Sequence, residues 1–523
     1  MSGSAGVPLA EQSPIALGSH GVTAEEVCAV AREDAPVVLG ADAREAMDAS
    51  ASVLAELAAQ SVPAYGVSTG FGSLASVRIP PESRETLQRS LVRSHAAGMG
   101  PPIEREVVRA MMFLRARSLA MGRSGARPVL AETILAMLNA GLTPVVPEHG
   151  SVGASGDLAP LAHCALTYTG EGEVTRAGES EPIPAADALR AAGIEPVVLQ
   201  AKEGLALING TDGMLAMLAL AIADLSMLLR VADVTAAMSV EALLGTDRAF
   251  AADLLALRPQ PGQSVSAANM RRLLADSPLV ASHRENDPRV QDAYSLRCAP
   301  QVNGAARDTL AHADGVAANE LVSAIDNPMV MPDGRVESCG NFHGAPLAFV
   351  CDYLAIAVAE VGAIAERRTD RLLDASRSHG LPPFLAHEPG VDSGLMIAQY
   401  TQAAIVAENR RRASPSSVGS LPTSAMQEDH VSMGWGAARK LRRSVDGLRR
   451  VLAVELLVAG AGIDLRAPLE PAAGTGAALA VLRTVIPAPG SDRFLAPDLG
   501  AAEQLLADGS LMSAVELAIG ELA

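Results

Sequence analysis

The chain has 523 residues, more than one ordinary hydrophobic core accommodates, so two or three structural regions are expected. Hydrophobic residues make up 49% of it and aromatic residues only 2%, which favours helices packed through Ala, Leu, Val and Met over β-sheets. A net charge of −18 argues against nucleic acid as a partner, and five widely spaced cysteines without a CxxC pair argue against a disulfide framework or a structural metal site.

The N-terminal segment, MSGSAGVPLAEQSP, lacks the basic and apolar regions of a signal peptide. The longest apolar run, at 213–223, ends at Asp224 and is shorter than the roughly 20 residues that span a bilayer. We therefore expect a cytoplasmic protein with reduced cysteines and without a membrane partner.

Helical segments are predicted to alternate with loops of small residues. Apolar residues recur at helical spacing between 81 and 139, whereas 62–80 and 143–160 are interrupted by Gly or Pro and are predicted loops. A polar excursion is expected at 171–200. The long predicted helical runs are 203–245, 304–326, 344–375 and 435–465. The sequence thus predicts a mainly α-helical protein, with loops at the ends of a long-helix bundle and two domains, 1–200 and 201–523.

The segment GSVGASGDLAP at 150–160 is the most informative about chemistry. Ala154, Ser155 and Gly156 are small, so the backbone can fold sharply enough for the Gly156 nitrogen to reach the Ala154 carbonyl carbon. Ring closure with loss of water, followed by loss of the Ser155 hydroxyl as water, would leave a strong electrophile. As a bare triplet, however, Ala-Ser-Gly is also typical of a simple turn.

The residues around the triplet point to the chemistry. Asp157 is predicted to be the N-cap of a helix with Pro160 in its first turn, and the positive end of that helix would help an electrophile accept electron density. The segment GSVGASGDLAPLAH resembles the prosthetic-group loop of the family that contains histidine, phenylalanine and tyrosine ammonia-lyases and related aminomutases. The resemblance extends from about residue 20 to the C-terminus.

This resemblance implies the helical fold of the fumarase and aspartase superfamily, with the prosthetic-group loop in a loop-rich N-terminal region. It implies that Ala154, Ser155 and Gly156 form the prosthetic group, 4-methylidene-imidazol-5-one (MIO), autocatalytically and without an external cofactor or metal. It also implies an amino acid as the small-molecule substrate and a homotetramer whose active sites are shared between subunits.

Two further motifs match the family. Tyr65 in YGVSTGFG resembles the catalytic base on a mobile loop, and a tyrosine that packs against a glycine loop is the alternative. Its ordinary pKa of about 10 means that the site must lower that pKa or relay the proton. Asn209 in ALINGT follows an apolar helix, where Asn is usually a cap or turn residue, and the resemblance implies contact with the prosthetic group and substrate.

The motif QDAYSLR contains three predicted site residues. Tyr294 and Arg297 are three apart and share one face if the segment is helical. Arg297 can hold a substrate carboxylate through paired hydrogen bonds, and a surface ion pair is the alternative. The resemblance implies that Gln291 binds substrate, that Tyr294 is catalytic, and that Phe342 in NFH lines the site rather than the core.

The substrate choice depends on His95 in RSHA and Glu428 in MQEDH. An imidazole needs partners for two ring nitrogens, and both side chains can provide one. A Ser-His pair also occurs in some tyrosine aminomutases, so His95 alone does not identify the substrate. Glu428 is the stronger indicator of histidine, because a buried carboxylate that faces a phenyl ring would have no hydrogen-bond partner. Glu428 can alternatively act on the substrate amine, as a catalytic residue.

The resemblance is therefore closest to the histidine branch, which implies deamination of L-histidine to trans-urocanate and ammonia. A histidine 2,3-aminomutase that returns ammonia to the β-carbon stays open, and a phenylalanine or tyrosine lyase is disfavoured by Glu428. A fumarase-like lyase would not need Ala-Ser-Gly, and a non-catalytic helical scaffold would not form the electrophile. Gly419 and Cys339 depart from the branch, which usually has Asp and Asn there.

Replacing Ser155 by Ala removes the hydroxyl that must leave as water. We expect Ser155→Ala to lack both the ultraviolet absorbance of the prosthetic group and the enzymatic activity, measured by spectrophotometry. Its intact mass should equal the mass calculated from its sequence, without the decrease caused by loss of water. Normal turnover by this variant would contradict the hypothesis.

Overall fold

A computed structural model of the protein describes residues 13–59, 69–70, 72–74, 76–285 and 287–523. The described residues form twenty α-helices and nine short strands, which confirms the mainly α-helical fold class. The predicted base Tyr65 and most of its glycine-rich loop lie outside these residues.

The chain forms two compact units, each assembled from several segments. Unit 1 consists of residues up to Leu220, Asp314–Cys351 and Pro415–Arg439, and unit 2 consists of Ala221–Ala313, Asp352–Ser414 and Lys440–Ala523. The predicted domains, 1–200 and 201–523, were contiguous and do not describe these units. Four of the boundaries fall inside helices, where no polar linker marks them in the sequence.

Unit 1 contains all of the described strands and the first eight helices. Its complete N-terminal helices are α1 (Ala24–Arg32), α2 (Ala41–Ala59), α3 (Arg84–His95), α4 (Arg105–Ala120), α5 (Pro128–Asn139), α6 (Leu158–Tyr168), α7 (Ala185–Ala192) and α8 (Glu203–Ile208). Its strands are β1 (Ile15–Leu17), β2 (Val37–Leu39), β3 (Met99–Pro102), β4 (Leu142–Pro144), β5 (Pro147–His149), β6 (Glu173–Arg176), β7 (Ile183–Pro184), β8 (Met329–Val330) and β9 (Val336–Glu337).

The strands pair locally and form no large sheet. β1 and β2 are parallel, with Ile15 opposite Val37. The antiparallel groups are β3 with β5, β4 with β6 and β7, and β8 with β9. The excursion predicted at 171–200 contributes β6, β7 and α7 to this arrangement.

Three helices of unit 1 hold the predicted site segments together. α3 packs against α6 and α8, and α6 packs against α8, through buried residues such as Leu91, Leu161 and Leu205. α3 ends at His95, α6 follows the Ala-Ser-Gly segment, and α8 ends immediately before Asn209. Because the three helices pack on one another, these ends lie close together.

The predicted long helical runs are confirmed. They are α9 (Asp212–Ala242), α14 (Ala299–Leu321), α15 (Ala345–Leu373) and α17 (Gly434–Asp464). The other helices are α10 (Ala252–Ala256), α11 (Pro261–Leu273), α12 (Pro278–Ala281), α13 (Tyr294–Arg297), α16 (Met396–Arg412), α18 (Ala473–Val485), α19 (Ala496–Ala507) and α20 (Ser510–Ile519). Single 3₁₀ turns occur at Gly72–Leu74, Pro81–Ser83, Arg248–Phe250, Pro383–Leu385 and Ser424–Met426.

Two of these helices, α9 and α15, are long and apolar enough to cross a membrane by length and composition alone. The apolar run at 213–223 is only the first part of α9, which continues past Asp224 to 31 residues. Core helices pass the same test, and the most apolar windows of α9 and α15 are 78% and 61% buried within the protein.

One carboxylate joins three long helices within unit 2. Glu455 of α17 is fully buried and accepts hydrogen bonds from Thr235 and Ser239 of α9, each at 2.8 Å. Arg368 of α15, also fully buried, pairs with both carboxylate oxygens, with Nη2 2.9 Å from Oε2. Buried charges are tolerated only when paired in this way, so the cluster fixes how these helices pack.

Arg368→Met should remove this pairing and leave Glu455 buried and uncompensated. We expect a decrease of about 3–5 kcal/mol in the free energy of unfolding, measured by chemical denaturation. Arg335 pairs with Asp333 at the surface, where its side chain is 59% exposed. Arg335→Met, the matched control, should therefore cost about 1 kcal/mol or less. Equal losses in the two variants would contradict this role for Glu455.

Candidate active site

The Ala-Ser-Gly segment forms a tight turn immediately before α6. Ser155 has φ +49°, in the left-handed region that non-glycine residues rarely adopt, and Gly153 and Gly156 have φ +75° and +79°. The Ser151 hydroxyl accepts a hydrogen bond from the Gly153 amide at 3.1 Å across the turn. The sharp turn that the small residues predicted is therefore present at Ser155.

The turn is anchored on the junction between α8 and α9. The Asp157 amide donates to the Gly210 carbonyl at 2.7 Å, and Gly156 and Gly210 form a parallel bridge. A Cβ at Gly156 would lie 2.1 Å from the Gly210 oxygen, so no larger residue fits there. This bridge sets Ser155 alongside Asn209.

Asp157 occupies the N-cap position of α6, as predicted, but its side chain makes no capping bond to that helix. Its carboxylate instead accepts a hydrogen bond from the Met214 amide in the first turn of α9, at 2.9 Å. Burial raises the pKa of Asp157 from 3.8 to about 7, although this hydrogen bond acts in the opposite direction. Asp157 therefore caps α9 and not α6, so the predicted cap was assigned to the wrong helix.

Asn209 is the C-cap of α8 and is almost fully buried. Its backbone carbonyl accepts a hydrogen bond from Arg115 at 3.0 Å. Its side-chain nitrogen donates to the Asp326 carboxylate and to the Asn327 carbonyl, each at 3.0 Å. The predicted cap and the predicted site residue are thus the same residue.

Ser155 and Asn209 line a cavity of about 470 Å³ in unit 1. Its apolar wall consists of Leu74, Val77, Ile79, Leu87, Leu91, Leu158, Leu205 and Ile208. His95 and Glu428 also line it, and Glu428 is the only carboxylate among the described lining residues. The cavity therefore joins four of the predicted site residues, although they are distributed over more than 300 positions of sequence.

His95 has a defined tautomer. Its Nδ1 lies 2.9 Å from the Leu91 carbonyl oxygen, which can only accept, so Nδ1 carries the proton. The Ser94 hydroxyl, 3.1 Å from Nδ1, donates to the same carbonyl. Burial lowers the pKa of His95, while the Leu91 bond and the charge of Glu428 raise it less. A neutral His95 therefore has Nε2 as a hydrogen-bond acceptor for a ligand.

Glu428 is held by its own loop. Its carboxylate accepts a hydrogen bond from the Thr423 hydroxyl at 2.6 Å, and the Thr423 amide donates to the Glu428 carbonyl at 2.9 Å. The neighbouring Ser424 hydroxyl accepts from the Ser73 amide at 3.3 Å, which ties this loop to the described part of the glycine-rich loop. Sequence reasoning missed Thr423, whose only signal was its place in a turn near Glu428.

The QDAYSLR residues belong to unit 2. α13 confirms the helical conformation assumed for Tyr294 and Arg297, and the guanidinium lies 4.6 Å from the centre of the tyrosine ring. Tyr294 is exposed, and Gln291 lines a second cavity of about 410 Å³ in the same unit. The roles of all three stay predictions.

The remaining expectations fall in unit 1, outside the lining of the 470 Å³ cavity. Phe342 is half-buried in the loop before α15, so its place in an active site stays a prediction. Cys339 donates its amide to the Asn327 side chain at 2.8 Å and so touches the turn that holds Asn209. Gly419 is exposed in a turn closed by its hydrogen bond to Ser416.

Comparison with known proteins agrees with this geometry. The family model described as aromatic amino acid lyase matches residues 22–484. A histidine ammonia-lyase of Streptomyces griseus is 61% identical over 512 residues, which cover 97% of this chain and 99% of that protein.

Two solved structures share the fold over nearly the whole chain. Tyrosine aminomutase from Streptomyces globisporus has a TM-score of 0.92 at 37% identity, covering 98% of this chain and 100% of the other. Histidine ammonia-lyase from Trypanosoma cruzi has a TM-score of 0.89 at 39% identity, covering 97% and 96%. The chain belongs to the aromatic amino acid lyase family, which confirms the resemblance inferred from its motifs.

The raised pKa of Asp157 predicts a specific pH dependence of stability. The folded protein keeps this proton up to about pH 7, whereas the unfolded chain releases it near 3.8, so the stabilisation is full below 3.8 and is lost as the pH rises to 7. Asp157→Asn lacks this dependence. The wild type should lose stability between pH 5 and pH 8 while the variant does not. The difference in unfolding free energy, variant minus wild type, should therefore increase by about 2–3 kcal/mol over this range.

The measurement is urea denaturation at both pH values. Asp187→Asn, on the exposed face of α7, serves as the control and should show no such increase, because its side chain is 61% exposed. A difference between Asp157→Asn and wild type that does not change with pH would contradict the assignment.

Proposed function

We propose that the protein is a histidine ammonia-lyase that converts L-histidine to trans-urocanate and ammonia. The observation that carries the proposal is the cavity in which Ser155, His95 and Glu428 converge. It combines a serine on a strained turn with two side chains suited to an imidazole. The near full-length relative from Streptomyces griseus, named histidine ammonia-lyase, supports the same substrate.

We further propose that Ala154, Ser155 and Gly156 form the MIO group. The residues fit it in three respects: the backbone turns sharply at Ser155, Gly156 occupies a place that only glycine fits, and Ser155 lines the cavity. When formed, the group supplies an electrophile that makes the substrate's amino group a better leaving group. Because the group would form from these three residues, the proposal includes no external cofactor.

The ring of the substrate would be held by two acceptors. His95 in its neutral form offers Nε2, and Glu428 offers a carboxylate oriented by Thr423. An imidazolium has an N–H on each nitrogen and satisfies both, whereas a phenol has one donor and a phenyl ring has none. The cavity therefore favours histidine over tyrosine and phenylalanine.

The other roles come from the family. Tyr65 would remove the β-hydrogen, Arg297 would hold the carboxylate, and Tyr294 would stabilise charge near the reacting atoms. Gln291 and Phe342 would complete the binding site. A tyrosinate is a strong base at neutral pH, so this assignment requires that the active site lower the pKa of Tyr65 or accept its proton.

A homotetramer with shared active sites is part of the same proposal. One face of α15 exposes Phe349, Tyr353 and Ile356, spaced at four and three residues, and α16 exposes Ile397 and Tyr400. Large apolar side chains grouped on helix faces are typical of subunit interfaces. In a chain with only 2% aromatic residues, three of them on these faces favour contact with further copies.

The proposed reaction is tested by incubating the purified protein with L-histidine. Urocanate is followed by its ultraviolet absorbance and β-amino acid by chromatography. Accumulation of urocanate with equal release of ammonia supports the lyase. β-Histidine as the main product would favour the aminomutase, an outcome to be tested because an aminomutase shares the fold. L-tyrosine and L-phenylalanine are the substrate controls.

Glu428→Gln should keep the hydrogen bond from Thr423 but remove the negative charge. Because hydrogen bonds to charged groups contribute about 1.5–3 kcal/mol, we expect kcat/KM for L-histidine to fall by about 10- to 100-fold, measured by urocanate formation. Glu179→Gln, at an exposed site, is the control and should be unchanged. An unaltered kcat/KM in Glu428→Gln would refute a role of this charge in the reaction.

A further inference from the structure

The side chain of Asn209 has only one possible amide orientation. Its Nδ2 donates to Asp326 Oδ1 and to the Asn327 carbonyl, so both hydrogens are used. Its Oδ1 has no hydrogen-bond partner among the described residues, although Asn209 is 98% buried, with an exposed fraction of 2%. A buried acceptor without a partner is costly unless a ligand provides a donor.

Asp326 is itself fixed by Lys202. The Lys202 ammonium donates to Asp326 Oδ2 at 2.5 Å and to the Ser124 carbonyl at 2.9 Å, and both charged side chains are buried. Asp326 Oδ1 also accepts from the Asn327 amide at 2.7 Å. If the Asn209 amide turned over, its oxygen would face this carboxylate, which repels an acceptor. The ion pair therefore holds the amide in the observed orientation.

The same carboxylate secures both ends of α8. Lys202 immediately precedes the helix and has φ +66°, a conformation that is unfavourable for a residue with a side chain. Asn209 immediately follows the helix. Strained backbone persists only where its surroundings hold it, and here the bonds from Lys202 to Asp326 and Ser124 do so. The six residues between the two anchors are consequently rigid in position.

The parallel bridge between Gly156 and Gly210 determines where the Asn209 backbone lies. It sets Asn209 beside Ser155, and both line the 470 Å³ cavity. An amino acid bound there has one hydrogen-bond donor at its α-carbon, the amino group, because its carboxylate only accepts. The electrophile proposed at Ser155 requires that same amino group nearby.

We propose that Lys202 and Asp326 are positioning residues that hold the Asn209 amide with its oxygen toward the cavity, where it accepts a hydrogen bond from the substrate's amino group. This inference rests on the proposed function, because it takes an amino acid as the substrate of this cavity. It assigns the Asn209 side-chain oxygen as the hydrogen-bond acceptor for the amine, an orientation that the sequence motif alone does not predict.

The test uses Asp326→Asn in the full-length protein and two ligands. The variant keeps the size of the side chain but allows the Asn209 amide to turn. We expect kcat/KM for L-histidine to fall by about 10- to 100-fold, as for other residues that orient a site residue. The inhibition constant of 3-(imidazol-4-yl)propanoate, which lacks the amine, should stay close to the wild-type value.

Asp233→Asn is the matched control. Asp233 is a buried carboxylate of unit 2 that pairs with Arg307 at 2.7 Å and accepts from Asn303 at 2.9 Å. Its substitution should lower stability without changing the ratio of histidine kcat/KM to analogue affinity. If Asp326→Asn does not fold, Lys202→Gln, whose shorter and uncharged side chain no longer pairs with Asp326, should show the same selective loss.

A double variant tests whether Asp326 acts through Asn209. In an Asn209→Ala background, adding Asp326→Asn should reduce kcat/KM no further, because the amide to be oriented is absent. Independent, multiplicative losses would overturn the proposal, as would equal weakening of histidine and the amine-free analogue.

Intact mass separates positioning from formation of the electrophile. Each variant should show the same water-loss deficit as wild type. A deficit missing only in Asp326→Asn would assign Asp326 to prosthetic-group formation and overturn the proposal. If wild type fails to deaminate histidine, the proposed function fails. If wild type is active and Asp326→Asn matches Asp233→Asn, only the positioning assignment fails.

Discussion

The Gly156 backbone lies directly against the Gly210 backbone, and the arrangement of the cavity depends on this contact. A Cβ at Gly156 would lie 2.1 Å from the Gly210 oxygen, and one at Gly210 would lie 2.4 Å from Arg115 Nη1. Glycine at both positions lets the Asp157 amide reach the Gly210 carbonyl at 2.7 Å. The turn before α6 is thereby joined to the junction between α8 and α9, which places Ser155 beside Asn209.

Buried charges behind that junction give it a defined geometry. Arg115 lies 3.3 Å from the Asp212 carboxylate and donates to the Asn209 and Ile325 carbonyls. Lys202 pairs with Asp326 on the other side of α8. Such groups contribute little net stability compared with an apolar core, but few backbone arrangements can satisfy them. The apolar helices stabilise the fold, whereas these ions determine where the ends of α8 lie.

The sequence predicted those features that depend on neighbouring residues. Helical spacing predicted the long helices, and the small residues around Ser155 predicted the sharp turn. The sequence could not predict pairings between distant residues: Lys202 and Asp326 are 124 positions apart, and Asp157 caps α9 across 57 positions. The available signal was a lone charged residue in an apolar stretch, such as Asp326 in SAIDNPMV. Such a residue does not indicate which distant residue pairs with it.

The chemistry of the cavity lining also indicates where the rest of an active site must come from. His95 and Glu428 offer acceptors in this lining, and under the positioning proposal Asn209 offers another beside Ser155. A substrate with hydrogen-bond donors on both its ring and its amino group matches such a lining. Its carboxylate does not, because the described lining contains no lysine or arginine. The counter-charge must therefore come from outside this lining, the role predicted for Arg297, and an active site shared between subunits would provide it.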